Sequence, residues 1–88
     1  MISYNVYQAE RAFLRAARRQ HVDVDVERAL VHEILEEAAC LIDASIPGSF
    51  HRHIDARDVA RVALMLAARE HREAIRTAIN ELVDSLTR

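Results

Sequence analysis

The apolar residues near the start of the chain recur at helical spacing. They comprise Tyr7, Phe13, Leu14 and Ala17. Ser3 or Asn5 stands ahead of them as a capping residue, so the pattern predicts a first helix over about residues 5–19. The opposite face of that helix is basic and carries Arg11, Arg15, Arg18 and Arg19.

A longer apolar stripe predicts a second, central helix over about residues 24–45. The stripe comprises Val26, Leu30, Ile34, Leu35, Ala38, Leu41 and Ile42, with Ile46 at its end. The preceding connector, 21–25, is β-branched and extended, and Asp23 or Asp25 caps the helix. The solvent face is acidic and carries Glu27, Glu33, Glu36, Glu37 and Asp43. A stripe this wide predicts contact with more than one neighbouring helix.

Pro47 and Gly48 end the second helix, and Asp55 caps a third. The inward positions predicted for the third helix are Val59, Val62, Ala63 and Leu66. Segment 69–73 is polar on all sides, so residues 55–88 form either one long helix or two helices with a bend. The apolar stripe then resumes near heptad spacing. We expect this C-terminal stripe to bind a protein partner through Ile75, Ile79, Leu82 and Leu86.

The composition favours helices over sheets. Apolar residues make up 51% of the 88-residue chain, and glycine and proline occur once each. This predicts a single all-α domain over 1–88, whose small core favours a homodimer. No apolar run approaches the roughly 20 residues that span a bilayer. The N-terminus lacks the pattern of an export signal, so we expect a cytoplasmic protein without a membrane partner.

The net charge of −2 conceals an uneven distribution. Residues 1–22 carry +3, residues 23–50 carry −6 and residues 51–76 carry +2, and the chain has no lysine. A protein that coats nucleic acid without specificity usually carries a large positive excess, because each neutralised phosphate needs a cation. The pattern therefore counts against a DNA-packaging role.

The reactive side chains do not form a recognisable catalytic or metal site. Histidines at 21, 32, 51, 53 and 71 and the lone Cys40 lack the spacing of a zinc site. The helix-borne carboxylates have no glycine-built pocket around them, and no phosphate-binding glycine loop is present. We expect no enzyme activity, no metal and no cofactor.

Two short segments of the same kind each open onto a helix. His21-Val22-Asp23 precedes the long central helix, and His53-Ile54-Asp55 precedes the third. The order of short helix, connector, long helix, connector and short helix over about residues 9–66 resembles the histone fold. The likeness is best over 21–30 and 51–59, and residues beyond the third helix form a C-terminal helix or extension.

The resemblance implies an interlocked dimer with a DNA-binding patch at each end. Val22 and Ile54 would pair as short parallel strands between two subunits. The implied dimer core comprises Leu30, Ile34, Leu41 and Ile42. The implied patch for double-stranded DNA comprises Arg15, Arg18, Arg19, His21, His51, Arg52 and His53.

The sequence leaves two functions open. The first is a small dimeric, histone-like module with modest, salt-sensitive DNA binding and an accessory or regulatory role. The second is a phage- or plasmid-encoded interaction or inhibitor module that binds a partner protein without contacting DNA. A generic bundle of three or four helices is the alternative to the histone fold.

Overall fold

The structure, a computed structural model, describes residues 2–21, 28–46 and 52–86. In these ranges the chain forms four helices, α1 (Val6–Arg19), α2 (Arg28–Ser45), α3 (Ala56–Ala67) and α4 (Arg72–Leu86), and two short strands, β1 (Ile2–Ser3) and β2 (Arg52–His53). The predicted all-α fold class is confirmed. None of these helices is both long and apolar enough to cross a membrane.

Two predicted caps are present at the starts of α1 and α3. The side chain of Asn5 accepts a hydrogen bond of 2.9 Å from the backbone N–H of Gln8. At α3, Oδ1 of Asp55 accepts one of 2.8 Å from the backbone N–H of Arg57. Each bond satisfies an amide that has no partner inside its helix. The predicted caps of the central helix, at 23 and 25, lie outside the described residues.

Residues 55–86 form two helices, because the chain turns at Arg69. Arg69 has a φ of 55°, in the left-handed region that favours glycine. Its backbone N–H donates to the carbonyl of Leu66 at 3.1 Å, and that of Glu70 donates to the carbonyl of Met65 at 3.0 Å. These two bonds close the last turn of α3 as a Schellman motif, so α4 starts in a new direction.

Helix α3 is the centre of the packing. It contacts α1, α2 and α4, and its closest association is with α1. Its buried residues include the predicted inward positions Val59, Val62 and Ala63. The other large, fully buried side chains of the core are Phe13, Val31, Leu35, Ile42 and Ile54. A helix that is buried on several sides cannot carry charge there, which is why the arginines of α3 lie on its remaining surface.

The buried face of α1 differs from the predicted one. Ala9, Phe13 and Ala17 are buried, whereas Tyr7 is 62% exposed and Leu14 is 42% exposed. At 3.6 residues per turn, Tyr7 and Leu14 lie roughly 100–120° away from Phe13 around the helix. The core therefore buries a narrow stripe with one residue at every fourth position. The small side chains of Ala9 and Ala17 in this stripe allow α1 to approach α3 closely.

The strands β1 and β2 pair in parallel within one chain. Ile2 is opposite Arg52 and Ser3 is opposite His53, and the N–H of Ile54 donates to the carbonyl of Ser3 at 2.8 Å. Helices α1 and α3 therefore leave the same edge of the strand pair and lie side by side. Pairing of Ile54 with a second subunit stays a prediction, and the other residue of that pairing, Val22, lies outside the described residues.

The chain contains an internal repeat with a separation of fifty residues. The order strand, helix, helix occurs twice, as β1–α1–α2 and β2–α3–α4, with Asn5 and Asp55 as equivalent caps. The sequences 11–21 and 61–71 share residues at equivalent positions: Arg11 and Arg61, Leu14 and Leu64, Ala17 and Ala67, Arg19 and Arg69, His21 and His71. Helices α1 and α3 are thus equivalent elements that pack against each other.

Candidate functional site

A groove of about 1110 Å³ runs between α1 and α3. We call it the α1–α3 groove. The small residues Ala12, Ala16, Ala56 and Ala60 line it where the two helices approach each other. Because alanine fills little space, the long side chains that flank these residues form the walls. The groove exists because the two helices start at the same strand pair and remain in contact.

The walls of the α1–α3 groove are basic. Its arginines are Arg11, Arg15 and Arg19 from α1 and Arg57 and Arg61 from α3. All five are exposed. On each helix they follow one another at four-residue intervals, which spaces them about 6 Å apart along the axis. Their aliphatic stems cover the apolar lining and their guanidinium groups reach water.

Asp55 is the single acid among the described residues that line the groove. Its Oδ2 accepts a hydrogen bond of 3.1 Å from Nη2 of Arg57, and its Oδ1 accepts one of 3.4 Å from Nε. The bond from the Arg57 side chain is the main cause of an Asp55 pKa below its usual range. The pair partly neutralises Arg57, so Arg57 contributes less positive charge to the groove than its neighbours.

The other four groove arginines differ from Arg57, because no ion pair with a described residue neutralises them. Within residues 2–21, 28–46 and 52–86, none of Arg11, Arg15, Arg19 and Arg61 forms an ion pair within 4.0 Å. Four unpaired guanidinium groups on two facing helices repel one another. A bound anion relieves that repulsion and can accept several charge-assisted hydrogen bonds.

Tyr7 stands at the end of the groove near the helix starts. Its side chain is exposed and lines the groove. The guanidinium carbon of Arg11 lies over the ring, 5.7 Å from its centroid. This cation–π contact holds an aromatic surface beside the arginines without burying it.

The charges of the molecule are separated between elements. Glu33, Glu36 and Glu37 are exposed on α2, which does not line the α1–α3 groove. The carboxylate of Glu10, the acid of α1, is largely covered and its Oε2 lies 2.9 Å from Nε2 of His32 on α2. The groove is therefore basic although the whole chain has a net charge of −2.

The structure brings together part of the predicted DNA patch. Arg15, Arg19 and His53 line the groove. Arg18 and His21 are exposed but do not line it. Arg52 donates from Nη1 to the carbonyl of Leu86 at 3.0 Å, so its charge stabilises the C-terminal end of α4. The remaining predicted residue, His51, lies outside the described residues.

The predicted patch omits Arg11, Arg57 and Arg61. Arg11 lies on the basic face predicted for the first helix, and no local pattern links it to residues fifty positions away. The internal repeat is the signal that links them, because Arg11 and Arg61 occupy equivalent positions. A comparison of the sequence with itself would have indicated that the two helices are equivalent elements, although not that they pack together.

The residues of the predicted dimer core are divided between the core and the surface of one chain. Ile42 is fully buried by its own chain, and Ile34 packs partly against the same core. Leu30 is 46% exposed and Leu41 is 38% exposed. Of these four residues, only Leu30 and Leu41 have substantial exposed area left for contact with a second chain.

The C-terminal stripe packs onto the core of its own chain. Ile79 is buried, and Ile75, Leu82 and Leu86 are partly buried against the core. Binding of a partner protein by these residues stays a prediction. Beside them lies a second groove of about 610 Å³, where Arg69, Arg72 and Arg76 alternate with the acids Glu37 and Glu70. The arginines of this second groove are thus offset by acids to a greater extent than those of the α1–α3 groove.

No protein-family model, no curated protein and no solved structure matches this chain. Among the described residues, no three side chains of His, Cys, Asp or Glu are grouped as metal ligands would be. The function is accordingly interpreted from the geometry and charge of the α1–α3 groove.

Proposed function

We propose that this protein is a small nucleic-acid-binding module that holds the phosphate backbone of DNA in the α1–α3 groove. The observation that carries the proposal is the convergence of five arginines from two helices on one groove, in which the described residues include a single acid that is already paired. Arginine donates a planar fork of hydrogen bonds that matches phosphate oxygens. Contacts of this kind position the backbone and do not read its sequence.

The number of unpaired arginines sets the expected strength of binding. Four phosphate contacts give a slope of log K against log salt of about −2.8 for a single strand and about −3.6 for B-form DNA. Affinity then falls roughly 50- to 150-fold when salt rises from about 50 mM to about 200 mM. Affinity this modest, together with a negative net charge, supports an accessory or regulatory role and not compaction of DNA.

Fluorescence anisotropy with labelled DNA of random sequence tests the proposal. We expect micromolar binding of a duplex or of a single strand at about 50 mM salt and most of it lost at about 200 mM. A labelled neutral peptide of similar size is the control and should not bind. Absence of binding to both forms of DNA at low salt would remove the proposed function.

A homodimer would use the accessible leucines of α2. Leu30 and Leu41 are among the large apolar side chains that remain exposed on the described part of the chain. Burial of exposed leucines against a second copy is favourable by about 25 cal/mol for each Å² removed from water. Light scattering across a concentration series tests this proposal, and Leu30→Ser with Leu41→Ser should shift the protein toward monomer.

A further inference from the structure

We infer that the α1–α3 groove takes an unpaired strand of nucleic acid, with a base stacked on Tyr7, in preference to a duplex. The inference rests on the proposed function and narrows it from nucleic acid to single-stranded nucleic acid. Three observations carry it: the arginines on both walls of the groove, the exposed aromatic ring at its end and the arginine that lies over that ring.

The groove presents arginines from two helices along its length. It runs about 18 Å along α1 from Tyr7 to Arg19, and its α3 side carries Arg57 and Arg61. A single sugar–phosphate strand that follows the groove therefore lies between two rows of guanidinium groups.

The length of the groove sets the number of nucleotides. A stacked strand places a phosphate about every 3.4 Å, so about 18 Å of groove accommodates roughly five nucleotides. The arginines stand on both walls of this channel, where they contact the phosphates of one strand from two sides.

Tyr7 supplies a surface for a base. Folding buries little of the Tyr7 side chain, which is 62% exposed, and Arg11 lies over its ring and restricts its orientation. An unpaired base has two free faces and stacks on such a ring, whereas the bases of a duplex are already stacked. Arginine grooves with aromatic platforms bind single strands without sequence preference for this reason.

Binding assays on the whole chain and its Tyr7 variants test the inference. The probes are a labelled oligothymidine of twelve nucleotides, a duplex of the same length and a twelve-residue abasic strand. We expect the oligothymidine to bind at least tenfold more tightly than the duplex. Tyr7→Ala should weaken oligothymidine binding roughly tenfold or more, as for other stacked aromatics, and leave the abasic strand unaffected. Tyr7→Phe should keep the affinity.

Leu14→Ala is the matched control, because Leu14 is also an exposed apolar side chain of α1 but does not line the groove. Tighter binding of the duplex, or equal losses for the oligothymidine and the abasic strand in Tyr7→Ala, would overturn the inference. If Arg15→Ala still weakened binding in that case, the proposed function would stand. Failure of all three probes to bind would overturn both proposals.

Discussion

The carboxylate of Asp55 binds the side chain of Arg57, two residues further on in α3, through Nη2 at 3.1 Å and Nε at 3.4 Å. The same carboxylate caps the helix by accepting the backbone N–H of Arg57. One side chain therefore starts the helix and also reduces the charge of the α1–α3 groove. The two roles are separable, because asparagine caps a helix about as well as aspartate but carries no charge.

Asp55→Asn should tighten binding of DNA while the helix cap is kept. The substitution removes the acid of the groove and frees Arg57, so we expect affinity to rise severalfold and the salt slope to steepen by up to about 1. Anisotropy titrations across salt concentrations measure both quantities. Asp55→Ala is the comparison, because it should increase affinity similarly but lose about 1 kcal/mol of stability with the cap.

The pH dependence of stability should change as well. The pKa of Asp55 is below its ordinary value of 3.8 in the folded chain. Its charged form therefore stabilises the fold above that value, and the contribution is lost as the pH falls through the lower pKa of the folded state. Urea titrations from neutral pH to about pH 3 measure the effect. The Asp55→Asn variant should lose less stability over this range than the native chain, because it has no charge at this position to lose.

Asp58 should have the opposite effect. Burial is the main cause of its raised pKa, and the charge of Asp55 adds to it. A raised pKa means that the protonated form favours folding, so stability declines as the pH rises from the ordinary value of 3.8 through the higher pKa. Asp58→Asn should be more stable than the native chain at pH 7 and equal to it well below that range. Lower stability at pH 7 would contradict this assignment.

The sequence predicts the helices better than their arrangement. The first helix, the end of the second and the cap at Asp55 follow from local rules of spacing and capping, and the structure contains them. The strand pair joins residues fifty positions apart, and two residues such as Ile2 and Ser3 are too short for any periodicity. Because the groove depends on that pairing, its two walls could not be assigned to one site from local patterns.

The face of α1 shows a second limit. Tyr7 and Leu14 are larger than Ala9, so the apolar pattern placed them on the predicted face with Phe13 and Ala17 and left Ala9 out. The structure buries the alanines with Phe13 because the close approach of α1 to α3 leaves room for small side chains. The hydrophobicity of the residues alone does not indicate how closely α1 and α3 approach each other.

Substitutions of Phe13 and Leu14 test which face of α1 is buried. Phe13 is fully buried whereas Leu14 is 42% exposed. Phe13→Ala should cost about 3–5 kcal/mol of unfolding free energy through the lost contacts and the cavity. Leu14→Ala should cost less than about 1 kcal/mol, as surface substitutions usually do. Urea denaturation followed by circular dichroism measures both, and equal losses would show that the two residues are buried alike.

The turn after α3 offers a stabilising substitution. Arg69 occupies the left-handed region with a φ of 55°, which costs a residue with a Cβ roughly 1 kcal/mol and costs glycine nothing. Arg69→Gly should therefore raise the melting temperature by several degrees in a chain of this size. Arg72→Gly, inside the first turn of α4, is the control and should lower it. Destabilisation by Arg69→Gly would indicate another conformation at the turn.

The central claim is that the α1–α3 groove, and not overall charge, binds nucleic acid. The most direct test reverses one arginine on each wall, with Arg15→Glu and Arg61→Glu combined. The control variant combines Arg72→Glu and Arg76→Glu, which change the same charge at exposed arginines of α4, outside the groove.

Fluorescence anisotropy of a labelled oligothymidine is measured with both double variants at about 50 mM salt, after melting curves have confirmed that each is folded. We expect the groove variant to lose binding by at least roughly 30-fold and its salt slope to become shallower by about 2. The control variant should bind within about threefold of the native chain, because distant surface charges act only through a screened field. Equal losses in the two variants would contradict the account and assign the binding to net charge alone.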